Sequence, residues 1–315
     1  MLSALVLCQL VVLSISQKDF NYKLGGDDWP GLCATGNLQS PIDVRFSEPL
    51  SSLKAQTCEI SSKLEKSNPG RLVLNRAGLP QATFQFGSSD KVTVANVGGA
   101  IVWLFDDDFS LLNLPIEGGK LDGILQSNNK GLDRISIFMR EQIEVVQARF
   151  INFHVHSVSE HMFNGFLAPL EGHFVMQIDQ ADLQSCPEAG CLAVVGVHFQ
   201  HSIDDTPNQF IQDTLQLIGG KWPDTNGQSI PASGSLNFDQ LVPHNPSYML
   251  YSGSLTTPPC TEGVLWHVIQ QPMTVSIAQV AELQNAIGFE RDGLVRNNRR
   301  IQPINNRDMI YHDCI

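Results

Sequence analysis

The chain has 315 residues, 42% of them hydrophobic and 17% charged, with a formal net charge of −12 from 20 basic and 32 acidic side chains. That apolar content excludes a disordered chain, and 25 glycines and 17 prolines without a fixed period exclude collagen-like and low-complexity arrays. An isoelectric point near 5.1 and no basic run longer than Arg299-Arg300 leave no electrostatic footprint for nucleic acid.

From Leu2 to Ile15 the sequence is nearly all apolar, and charge begins only at Lys18 and Asp19. At helical rise this run spans about 21 Å, short of a hydrocarbon core of about 30 Å. It reads as the apolar region of a secretory signal peptide over residues 1–16, with Ser14 or Ser16 near the cut, although no Lys or Arg precedes it. No second apolar run of spanning length follows. The expectation is a secreted, extracellular protein with no transmembrane segment and a single domain over residues 17–315.

Cysteine usage agrees with export. Cys8 lies in the leader, leaving Cys33, Cys58, Cys186, Cys191, Cys260 and Cys314. Six cysteines in an exported chain suit disulfides, in any of 15 pairings. Their spacings fit no zinc finger. Cys186 and Cys191 flank Pro-Glu-Ala-Gly, a turn-like stretch that makes them a candidate pair.

The periodicity is that of a β protein. Lys91–Ala95 and Ala100–Phe105 read as short strands around Asn96-Val-Gly-Gly99. The segment from about 109 to 147 is rich in Gly, Asn and Asp and reads as an inserted surface excursion, with one strand-like core at Arg134–Phe138. Arg149–His156 alternates cleanly, Gly172–Ile178 follows after a turn, and Leu192–Phe199 is a continuous apolar run suited to a strand buried on both faces. Val264–Ile269 is a further strand after the Pro258-Pro259 loop. Helical patterns are few, the best being Asn208–Leu217 and Ile277–Ala286. The fold class is therefore mainly β (α+β): one large, mostly antiparallel twisted sheet with short peripheral helices.

Within the stretch 150–161, FINFHVHSVSEH, side chains alternate between the faces of a strand, so His154 and His156 point the same way, about 7 Å apart. Glu171-Gly-His173 offers a third imidazole, with Glu171 on the same face as His173. If these strands are neighbours, three neutral imidazoles converge. That is the donor set of a catalytic zinc site, which has three protein ligands and keeps a fourth position for water.

The segment from Ser252 to Trp266, SGSLTTPPCTEGVLW, completes a resemblance. Together with Trp29, Gln39-Ser-Pro-Ile-Asp43, the H-x-H and E-x-H strands and Asn297-Asn-Arg-Arg-Ile-Gln-Pro303, it resembles the α-class carbonic anhydrases. The resemblance implies a secreted Zn2+ enzyme that interconverts carbon dioxide and bicarbonate. It implies His154, His156 and His173 as zinc ligands, with Thr256 as the threonine that accepts from hydroxide on the metal and Glu160 as its carboxylate partner. Glu171 and Asn297 match residues that orient the ligands, Glu171 bonding the far nitrogen of either His156 or His173. Val175, Val194, Leu255, Val264 and Trp266 match the apolar wall beside which carbon dioxide sits, and Thr257 matches a residue that contacts bicarbonate. Cys33 and Cys260 match positions often joined in exported members, which leaves Cys58 with Cys314. An alternative is a relative that uses the fold for binding or as an extracellular matrix or biomineral protein, but such relatives usually lose a zinc histidine.

The chain departs from that pattern where a proton must leave. Gly99 stands where fast members carry a proton-shuttling histidine, Val97 and Val102 stand where they carry polar side chains, and Asn152 replaces a glutamine. Ser157 stands in place of a tryptophan after the second ligand. These departures bear on rate, since none of them touches the three histidines, Glu160 or Thr256.

Overall fold

The computed structural model describes residues 20–45, 71–74, 82–105, 111–117, 120–121, 144–178, 191–244, 246–289 and 296–312. The leader at 1–16, the Arg134–Phe138 core, Cys58, Cys186 and Cys314 lie outside them.

Ten strands form the main path of the sheet: β1 Arg71–Leu74, β2 Val92–Asn96, β3 Ile101–Phe105, β4 Glu144–His156, β5 Leu170–Ile178, β6 Cys191–His201, β7 Ser229–Pro231, β8 Tyr248–Ser254, β9 Glu262–Val275 and β10 Asp308–His312. They run in the spatial order β7-β2-β3-β4-β5-β6-β9-β8-β10-β1. Only the β6/β9 and β10/β1 pairs on this path are parallel; its other pairs are antiparallel. The expected strands that fall within the described residues are present, most of them longer than their apolar cores. Hydrogen bonding to neighbours on both sides carries β4 and β9 past the residues whose hydropathy alternates.

The segment at 109–147 departs from the expected excursion at its two ends. Leu111–Glu117 is a strand that pairs with Glu144–Ala148, so β4 continues well before the histidines and the neighbouring chain extends the sheet. Its 122–143 middle lies outside the described residues.

Among the described residues three α-helices lie at the periphery: α1 Leu32–Thr35, α2 Gln209–Leu217 and α3 Ile277–Ile287. Asn208 caps α2 by accepting from the Ile211 amide, and Ser276 and Gln279 form a reciprocal capping box on α3. Both helices begin where their caps stand. Gly288 closes α3 at φ 109°, a left-handed position that suits glycine.

Strand alternation sorts the sheet's apolar side chains into two clusters, and a third lies under the N-terminal stretch around Tyr22 and Trp29. Phe174 and Met176 of β5, Ala193, Val195 and Val197 of β6, and Leu265 and Ile269 of β9 face the larger one, under α2 and α3. Val175, Val194, Val264, Trp266 and Val268 face the smaller one. The clean alternation expected across 149–156 is broken: Val175 pairs with Asn152 and Met176 with Phe150, so Ile151 is an extra residue on β4. This β-bulge re-aims the strand. Phe150 and Phe153 both enter the larger cluster, while Ile151 joins the smaller one.

The N-terminal stretch is tied to the β8/β9 end of the sheet. Cys33 of α1 is joined to Cys260, with a Cα–Cα distance of 5.0 Å. The Ser40 amide donates to Ser254 Oγ and the Ser254 amide to Ser40 Oγ. Gly253 is required here, because a Cβ on it would lie 2.2 Å from Ser40 Oγ. The Cys58–Cys314 and Cys186–Cys191 pairings each include a residue outside the described ones; Cys191 itself is not free.

Two histidines are buried away from the other imidazoles. The Tyr248 ring stacks on His312 at 4.6 Å and lies 5.5 Å from His267. Burial pushes His267 down to about 3, with a contribution from His312, and burial likewise pushes His312 down to about 4. Unfolded histidine titrates near 6.5, so from about pH 6.5 downward the unfolded chain binds protons that the native one refuses. Their stabilisation is complete above that pH and is lost progressively toward pH 4 for His312 and pH 3 for His267. The melting temperature is therefore expected to fall across this window. In His267→Phe the fall should be shallower, as measured by calorimetry at several pH values.

Candidate metal centre

His154 and His156 lie on β4, where a period of two puts both on one face. β5 is the antiparallel neighbour of β4, and His173 is registered directly against His154. The three rings sit 4.6–5.2 Å apart between centroids. One nitrogen from each lies within 4.8 Å of the others. His156 and His173 are buried and His154 is partly so.

Each ring is oriented by an oxygen acceptor on its far nitrogen. His154 Nδ1 donates to Asn152 Oδ1 at 2.9 Å, His156 Nδ1 to the Asn297 carbonyl at 2.7 Å, and His173 Nε2 to Glu171 Oε1 at 2.9 Å. An acceptor at the far nitrogen holds the proton there. The inward atoms, Nε2 of His154 and His156 and Nδ1 of His173, therefore present lone pairs. Burial holds His154 and His173 below the ordinary histidine range, and the neighbouring rings add to this. Neutral, inward-facing imidazoles are the state in which histidine binds a metal.

Two buried atoms at the centre have no hydrogen-bond partner: His156 Nε2 and Glu160 Oε2, 3.6 Å apart. Buried polar atoms are nearly always satisfied, so such a pair facing three lone-pair nitrogens suits a cation. The donor set of three imidazoles fits zinc. A second group of similar compactness, His161, Glu171 and His173, does not: the nitrogens that face Glu171 already donate to it, at 2.7 Å from His161 Nδ1 and 2.9 Å from His173 Nε2.

Glu171 is completely buried and gathers four short hydrogen bonds. Its Oε1 takes His161 Nδ1 and His173 Nε2, and its Oε2 takes the amides of Glu160 and His161 at 2.8 Å each. Burial alone would raise its pKa, but His161, His198 and His173 outweigh it and hold the carboxyl well below the usual range. The choice left open by the sequence is resolved: Glu171 bonds His173, and His156 is held by the Asn297 backbone carbonyl. The Asn297 side chain braces the site as well. Its Oδ1 accepts from the Ser157 amide, and its Nδ2 donates to the carbonyls of Gly99 and Val155.

The structure gives Asn152 a role that the sequence comparison had placed only near the proton exit. It is the acceptor for His154, two residues back along the same strand face, and a period-two reading would have found it. Ser157 is fully buried; its hydroxyl donates to the Pro169 carbonyl and accepts from Gln284 of α3.

Thr256 is buried in the loop between β8 and β9, two residues past Ser254 and four before Cys260. The Leu255 amide donates to the Thr261 carbonyl and the Cys260 amide to that of Thr257, which closes the loop. Glu160 Oε1 accepts from the Arg299 amide at 2.8 Å. Glu160 Oε2 has no hydrogen-bond partner and lies 3.6 Å from His156 Nε2, so the hydrogen bond expected from Thr256 is not made to it. Val175, Val194, Val264 and Trp266 are buried in one cluster, and Leu255 packs against it half-buried. The Trp266 ring lies 4.9 Å from that of His173, so this apolar wall adjoins the imidazoles. Thr257 is half-buried in the same loop. Val102 is buried and registered against His154, and Gly99 is buried with φ 139°.

Gly196 sits across from His173 on β6, and a Cβ there would lie 2.9 Å from Glu171 Oε1. Only a bare backbone lets the carboxylate reach its two imidazoles. Gly196→Ala should displace that oxygen and weaken zinc affinity about tenfold, measured by chelator competition, since outer partners of metal ligands typically matter on that scale. Unchanged affinity would remove Gly196 from this account.

Residues 126–313 match the family model described as eukaryotic-type carbonic anhydrase. A carbonic anhydrase from Dunaliella salina is 31% identical over 295 residues, which cover 92% of this chain and 43% of that protein. One from Pectobacterium carotovorum is 33% identical over 159 residues, 50% of this chain and 56% of the relative, so the chain spans about half the length of the curated relatives it matches. Among solved structures, that of a halotolerant carbonic anhydrase from Dunaliella salina aligns at 26% identity with a TM-score of 0.63, covering 93% of this chain and 98% of the other. The three convergent histidines, the sheet that carries them and these matches agree: the chain belongs to the eukaryotic-type, or α-class, carbonic anhydrase family.

Proposed function

We propose that the protein is an exported zinc enzyme that hydrates carbon dioxide reversibly to bicarbonate and a proton. The observation that carries this reading is the set of three imidazoles, each fixed by an oxygen acceptor, facing one centre beside an apolar wall. His154, His156 and His173 would hold zinc, which when bound would supply the Lewis acidity that makes water a nucleophile near neutral pH.

The chain's own residues supply the rest. Carbon dioxide is apolar and offers no strong hydrogen-bonding handle, so Val175, Val194, Leu255, Val264 and Trp266 hold it by exclusion of water. Glu160, fixed by the Arg299 amide, leaves Oε2 unpartnered beside the centre, and in the working site the Thr256 hydroxyl turns to donate to it. Thr256 thereby presents its own lone pair toward the centre and orients the nucleophile. Thr257 lies beside it and contacts bicarbonate. Export is supported by the apolar leader and by the Cys33–Cys260 disulfide, which suits an oxidising compartment. Among the described residues no helix is long and apolar enough to cross a membrane.

The proton has no histidine to carry it at position 99, and buffer molecules take that part. Installing a histidine there is a poor test, because Gly99 has φ 139°, a backbone conformation that L side chains rarely adopt, and its carbonyl is held by Asn297.

Stopped-flow hydration with zinc analysis of the purified chain tests the assignment. One zinc per chain and measurable hydration are expected, with most of both lost in His156→Ala. Stoichiometric zinc and full hydration in that variant would overturn it. At fixed pH and ionic strength kcat should rise with imidazole concentration while kcat/KM, which reports the carbon dioxide step, stays level. A kcat that is fast and independent of buffer would show that another group exports the proton.

A further inference from the structure

His198 lies on β6, registered directly across from Glu171 on β5. It is 4% exposed and shares the face that carries Glu171 and His173. The β6/β9 register slips around it, with Val197 against Ile269 and Phe199 against Met273. Its ring stands 5.2 Å from that of Phe163. Its Nε2 faces two oxygens at once, the His161 carbonyl at 3.2 Å and Glu171 Oε2 at 3.6 Å. With oxygens on that side and no donor among them, the proton must sit on Nε2. Nδ1 is left buried without a hydrogen-bond partner. A buried imidazole with one unsatisfied nitrogen is a costly way to fill apolar space, so its polar half has a use.

That use follows from what the two oxygens do. Glu171 Oε2 also accepts the amides of Glu160 and His161, while Oε1 orients His173. The His161 carbonyl also accepts from Ser159 Oγ. We propose that His198 is a positioning residue: its single Nε2–H donates to the His161 carbonyl and stands 3.6 Å from Glu171 Oε2, so it fixes the 160–161 backbone whose amides hold the carboxylate, and through it the orientation of both His173 and Glu160. This rests on the reading of His154, His156 and His173 as zinc ligands. An apolar ring of the same size would fill the space but leave the His161 carbonyl without this donor. The 160–161 amides would then hold Glu171 Oε2 less firmly, and the carboxylate and the His173 ring would shift with them.

The test is zinc affinity of the metal-free protein, by competition with a chromophoric chelator, in wild type, His198→Phe and His198→Gln. Phenylalanine keeps the volume and removes the donor. Glutamine places an N–H near the position of Nε2. About tenfold weaker binding is expected in His198→Phe, with binding within about twofold of wild type restored in His198→Gln. Thermal melting of each apo protein checks that the fold is kept. If the phenylalanine variant has no melting transition, His198→Leu removes the same donor with a smaller side chain and carries the same expectation. Unchanged affinity in the donor-less variant overturns the proposal. Equal weakening in the donor-less and glutamine variants also overturns it, since packing alone would then account for the effect. A wild-type protein that binds no zinc would instead overturn the metal centre itself, so the two failures are distinguishable.

Discussion

A carboxylate taken wholly out of water must be met by donors, and Glu171 is the point at which this protein satisfies that demand. Its two oxygens collect two imidazole N–H groups and two backbone amides within 2.7–2.9 Å. The network continues from His161 Nε2 to the Tyr251 hydroxyl at 2.6 Å and from there to Ser40 Oγ at 2.8 Å. It links the N-terminal stretch, β8, the segment after β4 and the third candidate ligand through one buried charge. Removing one member of such a network leaves another unsatisfied, so its geometry is strongly determined.

The sheet supplies what the network cannot. Antiparallel register places His173 against His154, parallel register places Trp266 beside Val194, and period-two alternation keeps polar and apolar functions on the same face of adjacent strands. The polar face narrows to the imidazoles, while the next residues along β5, β6 and β9 form the apolar wall. A polar centre and an apolar wall therefore adjoin, with the Trp266 ring 4.9 Å from that of His173.

Rigid bracing extends to the loop that carries Thr256. It is joined to α1 by the disulfide, and Glu262 Oε1 accepts from the Leu38 amide and Gln39 Nε2. The Trp266 indole N–H donates to the Ser254 carbonyl at 2.9 Å. By contrast, the neighbourhood of Gly99 holds Val97 and Val102 and offers no titratable side chain at those three positions. The polar bracing is therefore concentrated at the centre and on the Thr256 loop.

Much of this was legible in the sequence because it depends on local periodicity. Alternation marks His154 with His156 and Glu171 with His173 as same-face pairs, and the buried run at 192–199 marks a central strand. The helical patterns at Asn208–Leu217 and Ile277–Ala286 mark α2 and α3. Resemblance supplied the pairing of Cys33 with Cys260, which no local rule contains. Only the tertiary structure decided the rest, since each such feature depends on register between distant segments. The bulge at Ile151 comes from how β4 meets β5. The assignment of Glu171 to His173 and of the Asn297 carbonyl to His156 comes from which atoms fall opposite. The role of His198 comes from β6 lying beside β5. A single strand's hydropathy states which face a side chain takes, but a hydrogen bond needs two partners in place, and the second one arrives only with the fold.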